Sequence, residues 1–346
     1  MSQRWIVGVG LFFCLVMMTY LGCSNSGAPI VTHTPQPLGA ASTQLAATEY
    51  QIPTVSSGTL DIAAGPDGDL WFTETAAGNI GKVSTSGVFS EFHDTAVSPS
   101  AITVGPDGNL WFVHGNDQVG RITTAGTITE FSLGPQEFQG IASGPDGNLW
   151  LTENHTTGCG KHCHHDVSDI VVLTTGGSIS ATYPISSTAE VGLGHIVAGA
   201  DNNLWFIETE TNEIGRITTS GAVMEFPVPT ASSGLSSALT RGPDGNIWFV
   251  ETVANQIGKI TPAGTITEYP IPSPLSGARG IAAGPDGKVW FTENRINQVG
   301  RIGPLGLITE FRIPTASSAP IGITKGPDGD VWFVESGANK IAKARP

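Results

Sequence analysis

Four of the eight histidines and two of the four cysteines fall in one short run, His155-Thr156-Thr157-Gly158-Cys159-Gly160-Lys161-His162-Cys163-His164-His165. Neutral imidazole and thiolate are borderline-to-soft ligands suited to zinc or copper. His155, Cys159, His162, Cys163, His164 and His165 therefore form a candidate metal-ligating set. Their spacing matches no zinc motif, and in an oxidising compartment Cys159 and Cys163 read first as a small-loop disulfide. Two lone imidazoles, His114 and His195, and two guanidiniums, Arg241 and Arg279, complete the groups whose chemistry is worth following. An imidazole titrates near neutrality and serves as ligand or general base, whereas a guanidinium holds a carboxylate bidentately.

The elements that must position these groups come from repetition. Gly65-Pro66-Asp67-Gly68 recurs from Gly105, Gly144, Gly242, Gly284 and Gly326, with a degenerate copy, Gly199-Ala200-Asp201-Asn202. The period of about 40 residues is that of a four-stranded propeller blade. The one longer step, after Gly144, contains the His/Cys run. Each turn precedes an aromatic strand with a single tryptophan: Trp71, Trp111, Trp150, Trp205, Trp248, Trp290 and Trp332. Pro-Asp-Gly supplies a preset φ, a side chain that bonds nearby backbone and a residue that accepts positive φ, so it predicts a hairpin between first and second strands. Alternating segments such as Gln256–Thr261 and Ile266–Pro272 predict the third and fourth strands, the proline placing the fourth at the outer edge.

The fold class expected is all-β: a seven-bladed β-propeller of four-stranded blades over 48–346. Thr48–Thr54 has an outer-strand sequence, and the chain stops after the third strand near Lys340–Lys343. The N-terminal strand is expected to join the last blade and close the ring. A charged fraction of only 13% with 45 glycines and 23 prolines agrees with many short strands and tight turns.

The net charge of −14 leaves no basic surface for phosphates, which excludes nucleic acid as a partner and limits membrane contact to an anchor. That anchor is read at the start of the chain. Arg4 precedes an apolar run from Trp5 to Leu21 that ends in Gly22-Cys23, a signal peptide over 1–23 with Cys23 as the candidate lipidated cysteine. Residues 24–47, rich in Ser, Thr, Pro and Ala, read as a disordered tether. The expected setting is the bacterial cell envelope, with the chain exported as a monomeric lipoprotein.

The units Leu70-Trp71-Phe72-Thr73-Glu74, Asn297–Ile302 and Ile308–Thr315 resemble those of the streptogramin B lyases, the virginiamycin B lyase family, along the whole propeller. The resemblance implies magnesium-assisted elimination that linearises a cyclic depsipeptide, with a histidine as base. It also implies Pro-His-Ala-Ile and Glu-Pro-His-Gly-Ile on the last two inner strands and a tyrosine on an early one. The matching positions here hold Arg279, Ile321 and Leu60.

Function is expected where the blades differ. The glutamates that recur after the tryptophan strand, Glu74, Glu153, Glu208, Glu251, Glu293 and Glu335, are read as architectural acceptors of turn N–H groups. Blade two has His114 in their place, blade four carries His195 on its inner strand, and blade three holds the insertion. The expected function is a binding module for a small-molecule, peptide or envelope-protein ligand, with His114, His195, Arg241 and Arg279 as binding candidates. The alternative is a carbon–oxygen lyase with a relocated base, His195, aided by magnesium or zinc.

Overall fold

The computed structural model describes residues 43–93, 98–114, 118–134, 137–158, 164–186 and 191–346. The signal segment with Cys23, most of the tether, and Cys159, His162 and Cys163 lie outside the described residues. The architecture is all-β, a ring of seven four-stranded antiparallel blades. Blade one comprises Thr59–Ala64, Leu70–Glu74, Asn79–Val83 and Phe89–His93, in order from axis to rim. Blades two to six repeat this plan from inner strands Pro99–Val104, Glu137–Ser143, Leu193–Ala198, Leu235–Arg241 and Ala278–Ala283. Blade seven has Pro320–Lys325, Val331–Glu335 and Lys340–Ala344.

The fourth strand of blade seven is Ala47–Gln51, which pairs antiparallel with Lys340–Ala344. Lys340 Nζ meets Glu49 Oε2 at 2.9 Å, and Asn339 Nδ2 donates to the carbonyls of Ile52 and Thr54. Inner strands pack side by side around the ring, the seventh beside the first. The chain joins the ring slightly earlier than its sequence suggests, because Thr43–Gln44 pairs parallel with Phe311–Arg312 at the rim of blade six.

The repeated residues explain the repeated geometry. In the first turn Gly65 N–H donates to Asp69 O at 2.8 Å, and Gly68 takes φ 82°. Asp67 does more than shape this turn: its Oδ1 accepts the indole N–H of Trp71 at 3.1 Å, and the same Asp-to-Trp bond recurs in every blade. The indoles are sealed and all seven stack on an aromatic ring of the same blade's outer strand, Trp71 on Phe92 and Trp248 on Tyr269 among them. In every blade but the third, a Lys or Arg from the third strand covers the stack, as Arg301 does Trp290 at 5.3 Å. Removing one such buried indole costs about 3–5 kcal/mol.

The recurring glutamates differ from expectation. All six are fully buried rather than set in turns. In five blades each faces a second glutamate from the outer strand: Glu74 with Glu91, Glu208 with Glu225, Glu251 with Glu268, Glu293 with Glu310, Glu335 with Glu49. Four outer partners accept the backbone N–H bonds, from Thr54, Thr230, Ser273 and Thr315, and so latch the loop of the preceding blade. Burial, aided by the neighbouring carboxylate, pushes Glu251 up to about 8 and Glu74, Glu208 and Glu335 to about 7. A carboxyl raised in this way resists ionisation, which avoids the cost of two facing charges.

Candidate functional site

Every inner strand breaks register with the second strand near its start, between Thr59 and Ile62, Ala278 and Ile281, Pro320 and Ile323, and correspondingly elsewhere. Such bulges re-aim side chains, here toward the axis. In blades one and six a threonine of the second strand holds the bulge. Thr73 Oγ1 accepts Asp61 N–H and donates to Ser100 O of the next blade; Thr292 Oγ1 accepts Gly280 N–H and donates to Ile321 O. The bulged residues line an axial cavity of about 600 Å³. It sits at the end of the inner strands paired with the close of the second strands, so it shares a face with the long hairpin of blade three.

The wall is uneven. Leu60, Leu235, Ile281, Ile321 and Ile323 give apolar surface, whereas Asp61, Gln139, His195 and Arg279 give polar groups. At one bulge position most blades carry only a small residue: Ala101, Gly140, Gly280 and Gly322. A Cβ on Gly280 would clash with Ile321 O, because the next backbone passes directly against it. Blades one and four place Asp61 and His195 at this position instead. Asp61 Oδ1 accepts Ile62 N–H and Oδ2 accepts Ile102 N–H, both at 2.9 Å. Burial raises the Asp61 carboxyl, while the charge of His195 across the cavity and the two N–H bonds oppose the rise. Arg279 is exposed in the cavity mouth, and its guanidinium has no hydrogen-bond or ion-pair partner among the described residues.

The other candidates lie elsewhere. His114 is fully buried inside blade two and does not line the cavity; its Nε2 meets Glu130 Oε2 at 3.1 Å, at the position of the buried glutamate of other blades. Arg241 is exposed at the opposite end of its inner strand, paired with Ile247 and remote from the cavity lining. His155 belongs to the blade-three hairpin, its Nδ1 2.9 Å from Glu153 Oε1. His164 and His165 occupy strand positions opposite Gly158 and Thr157. Asp61 and Gln139 are site residues that the sequence reading passed over. The repeat itself carries the signal for Asp61, a charged residue where other blades have Gly or Ala.

A seven-bladed ring with an axial cavity built from bulged inner strands defines the class, a seven-bladed β-propeller. The chain belongs to the virginiamycin B lyase family, which matches residues 30–167 and 162–346. A solved streptogramin B lyase structure is 34% identical over 86% of this chain and 96% of that one, with a TM-score of 0.76. A catalytically inactive variant of virginiamycin B lyase from Staphylococcus aureus, solved with quinupristin, is 33% identical over 88% of this chain and 100% of that one, with a TM-score of 0.77. Among curated proteins nothing matches.

The cavity does not fit the magnesium of the lyases. Mg²⁺ prefers a nearly octahedral set of oxygens, usually with one or two carboxylates. Among the described residues lining the cavity Asp61 is the only carboxylate, and each of its oxygens already accepts a backbone N–H. The positions at which the family carries its histidines hold Arg279 and Ile321, which offer a cation no ligand.

Proposed function

We propose that this protein is an exported, lipid-anchored propeller that binds a small molecule or peptide in its axial cavity and does not perform the lyase elimination. One observation carries the reading: Arg279, Ile321 and Leu60, at the positions of the family's two histidines and tyrosine, all line the cavity. A permanently charged guanidinium and two aliphatic side chains cannot abstract a proton. They form instead a cationic point beside an apolar wall, which suits a ligand with a carboxylate and a hydrocarbon body. The Trp5–Leu21 run before Gly22-Cys23 supports export and anchoring.

The test is calorimetric titration with short apolar peptides, each as free carboxylate and as C-terminal amide. The acid should bind at least about tenfold more tightly, a difference of about 1.4 kcal/mol, and Arg279→Ala should erase the difference. Equal affinity of acid and amide would overturn the ligand class.

A second reading has one observation behind it. His195 and Asp61 both line the cavity, and an imidazole is the side chain best suited to take a proton near neutral pH. On that reading His195 is the relocated base of an elimination, and turnover would vanish in His195→Ala.

A further inference from the structure

The blade-three hairpin breaks the pattern of buried glutamates. Its inner glutamate, Glu153, has no outer-strand glutamate, because Thr182 stands in the register where blade four has Glu225. Facing Glu153 directly across the hairpin is Asp169. Two carboxylates directly opposite each other repel, and nothing in this blade repeats the Glu–Glu arrangement of the others. His155 comes two residues after Glu153 on the same strand, and its Nδ1, Glu153 and Asp169 bring one ligand atom each within 4.8 Å of one another. Glu153 is fully buried, neither of its carboxylate oxygens makes an aligned hydrogen bond, and His155 Nδ1 approaches Oε1 to 2.9 Å.

We infer that Glu153, His155 and Asp169 form a binding site for a divalent transition-metal ion of zinc type, separate from the axial cavity. The donor set is one imidazole nitrogen and two carboxylate oxygens, which zinc accepts at about 2.0–2.2 Å with a fourth position left for water. Two anionic ligands and one neutral one balance the charge of M²⁺. The scaffold is fixed independently of the metal. Between the Glu153–Asp169 and His155–Val167 pairs lies Asn154 opposite Ser168. Asn154 Oδ1 accepts Ser168 Oγ–H and Leu193 N–H, and its Nδ2 donates to Leu193 O. The hairpin base is thereby tied to the first strand of blade four, which is how neighbouring hydrogen bonds orient metal ligands. His155 and Asp169 are only half-buried, so an ion and its water have a path from solvent. Among the described residues no other blade places these three residue types together; blade two, the other departure, sets His114 against Glu130.

The experiment uses the full chain, stripped with chelator and titrated with zinc chloride, then with cobalt chloride to read the ligand field. One zinc per chain is expected, with a cobalt spectrum lacking the sulfur charge-transfer band. Asp169→Asn, close in shape, should weaken zinc binding at least about tenfold, and His155→Ala should abolish it. A chain carrying Cys159→Ser, His162→Ala and Cys163→Ser should bind zinc as the parent does. Near-ultraviolet circular dichroism of each metal-free variant shows whether the ring is intact. Three results would overturn the site: no zinc bound, zinc bound equally by intact Asp169→Asn, or zinc lost in the loop variant.

Discussion

Glu251→Gln isolates the electrostatics of a buried carboxyl pair. Glu251 is fully buried against Glu268, and burial is the main force that lifts its carboxyl from 4.5 to about 8. In the unfolded chain the same group ionises near its ordinary value. Between those two pH values the folded protein therefore holds a proton that the unfolded chain has released. The stability from this site is fully present below about pH 4.5, declines as pH rises, and is lost above about pH 8. At about 1.4 kcal/mol per pH unit, the displacement corresponds to a decline of at most about 5 kcal/mol. Glutamine keeps the shape and a donor toward Glu268 but cannot ionise. Urea denaturation of parent and variant at pH 5, 7 and 9 should thus give similar stabilities at pH 5. A gain of several kcal/mol for Glu251→Gln should appear by pH 9. Parallel pH profiles for the two proteins would refute the reasoning, because they would mean that Glu251 ionises alike in both states.

Other outcomes follow from the same geometry. Asp286→Ala removes the acceptor of the Trp290 indole N–H at 3.0 Å and should cost about 1.5–3 kcal/mol, read as a lower urea midpoint with unchanged slope. Gly280→Ala should destabilise by more than about 1 kcal/mol, since the new Cβ meets the Ile321 carbonyl rather than a flexible side chain. Deleting residues 1–51 removes the outer strand of blade seven with its Lys340–Glu49 pair. The open edge should convert a single cooperative transition into aggregation on heating, seen by light scattering.

The ring was legible because its instructions are local and repeated. Gly-Pro-Asp-Gly followed by a tryptophan strand specifies a turn wherever it occurs, and seven copies at blade spacing leave one architecture. Strand Thr48–Thr54, set before any first strand, likewise announced closure. What escaped the sequence depends on contacts between segments far apart in the chain. Glu251 looks like a turn residue until strand pairing brings Glu268 to it across Gly258. His114 stands out as an asymmetric residue, yet its partner Glu130 belongs to the ordinary set of outer glutamates. Asp61 became visible only once bulges showed that Ala101, Gly140, Gly280 and Gly322 share its position. Among the described residues of the metal-like run, His155 is joined to Glu153 and Asp169, partners that depend on hairpin register rather than on Cys/His spacing.

Incubating the protein with quinupristin and following the mixture by mass spectrometry tests the central claim most directly, for an elimination opens the ring without a change of mass and chromatography separates the two forms. The account predicts intact cyclic quinupristin after prolonged incubation, for the parent chain and for His195→Ala alike. A ring-opened product that accumulates with the parent and disappears with His195→Ala would contradict it.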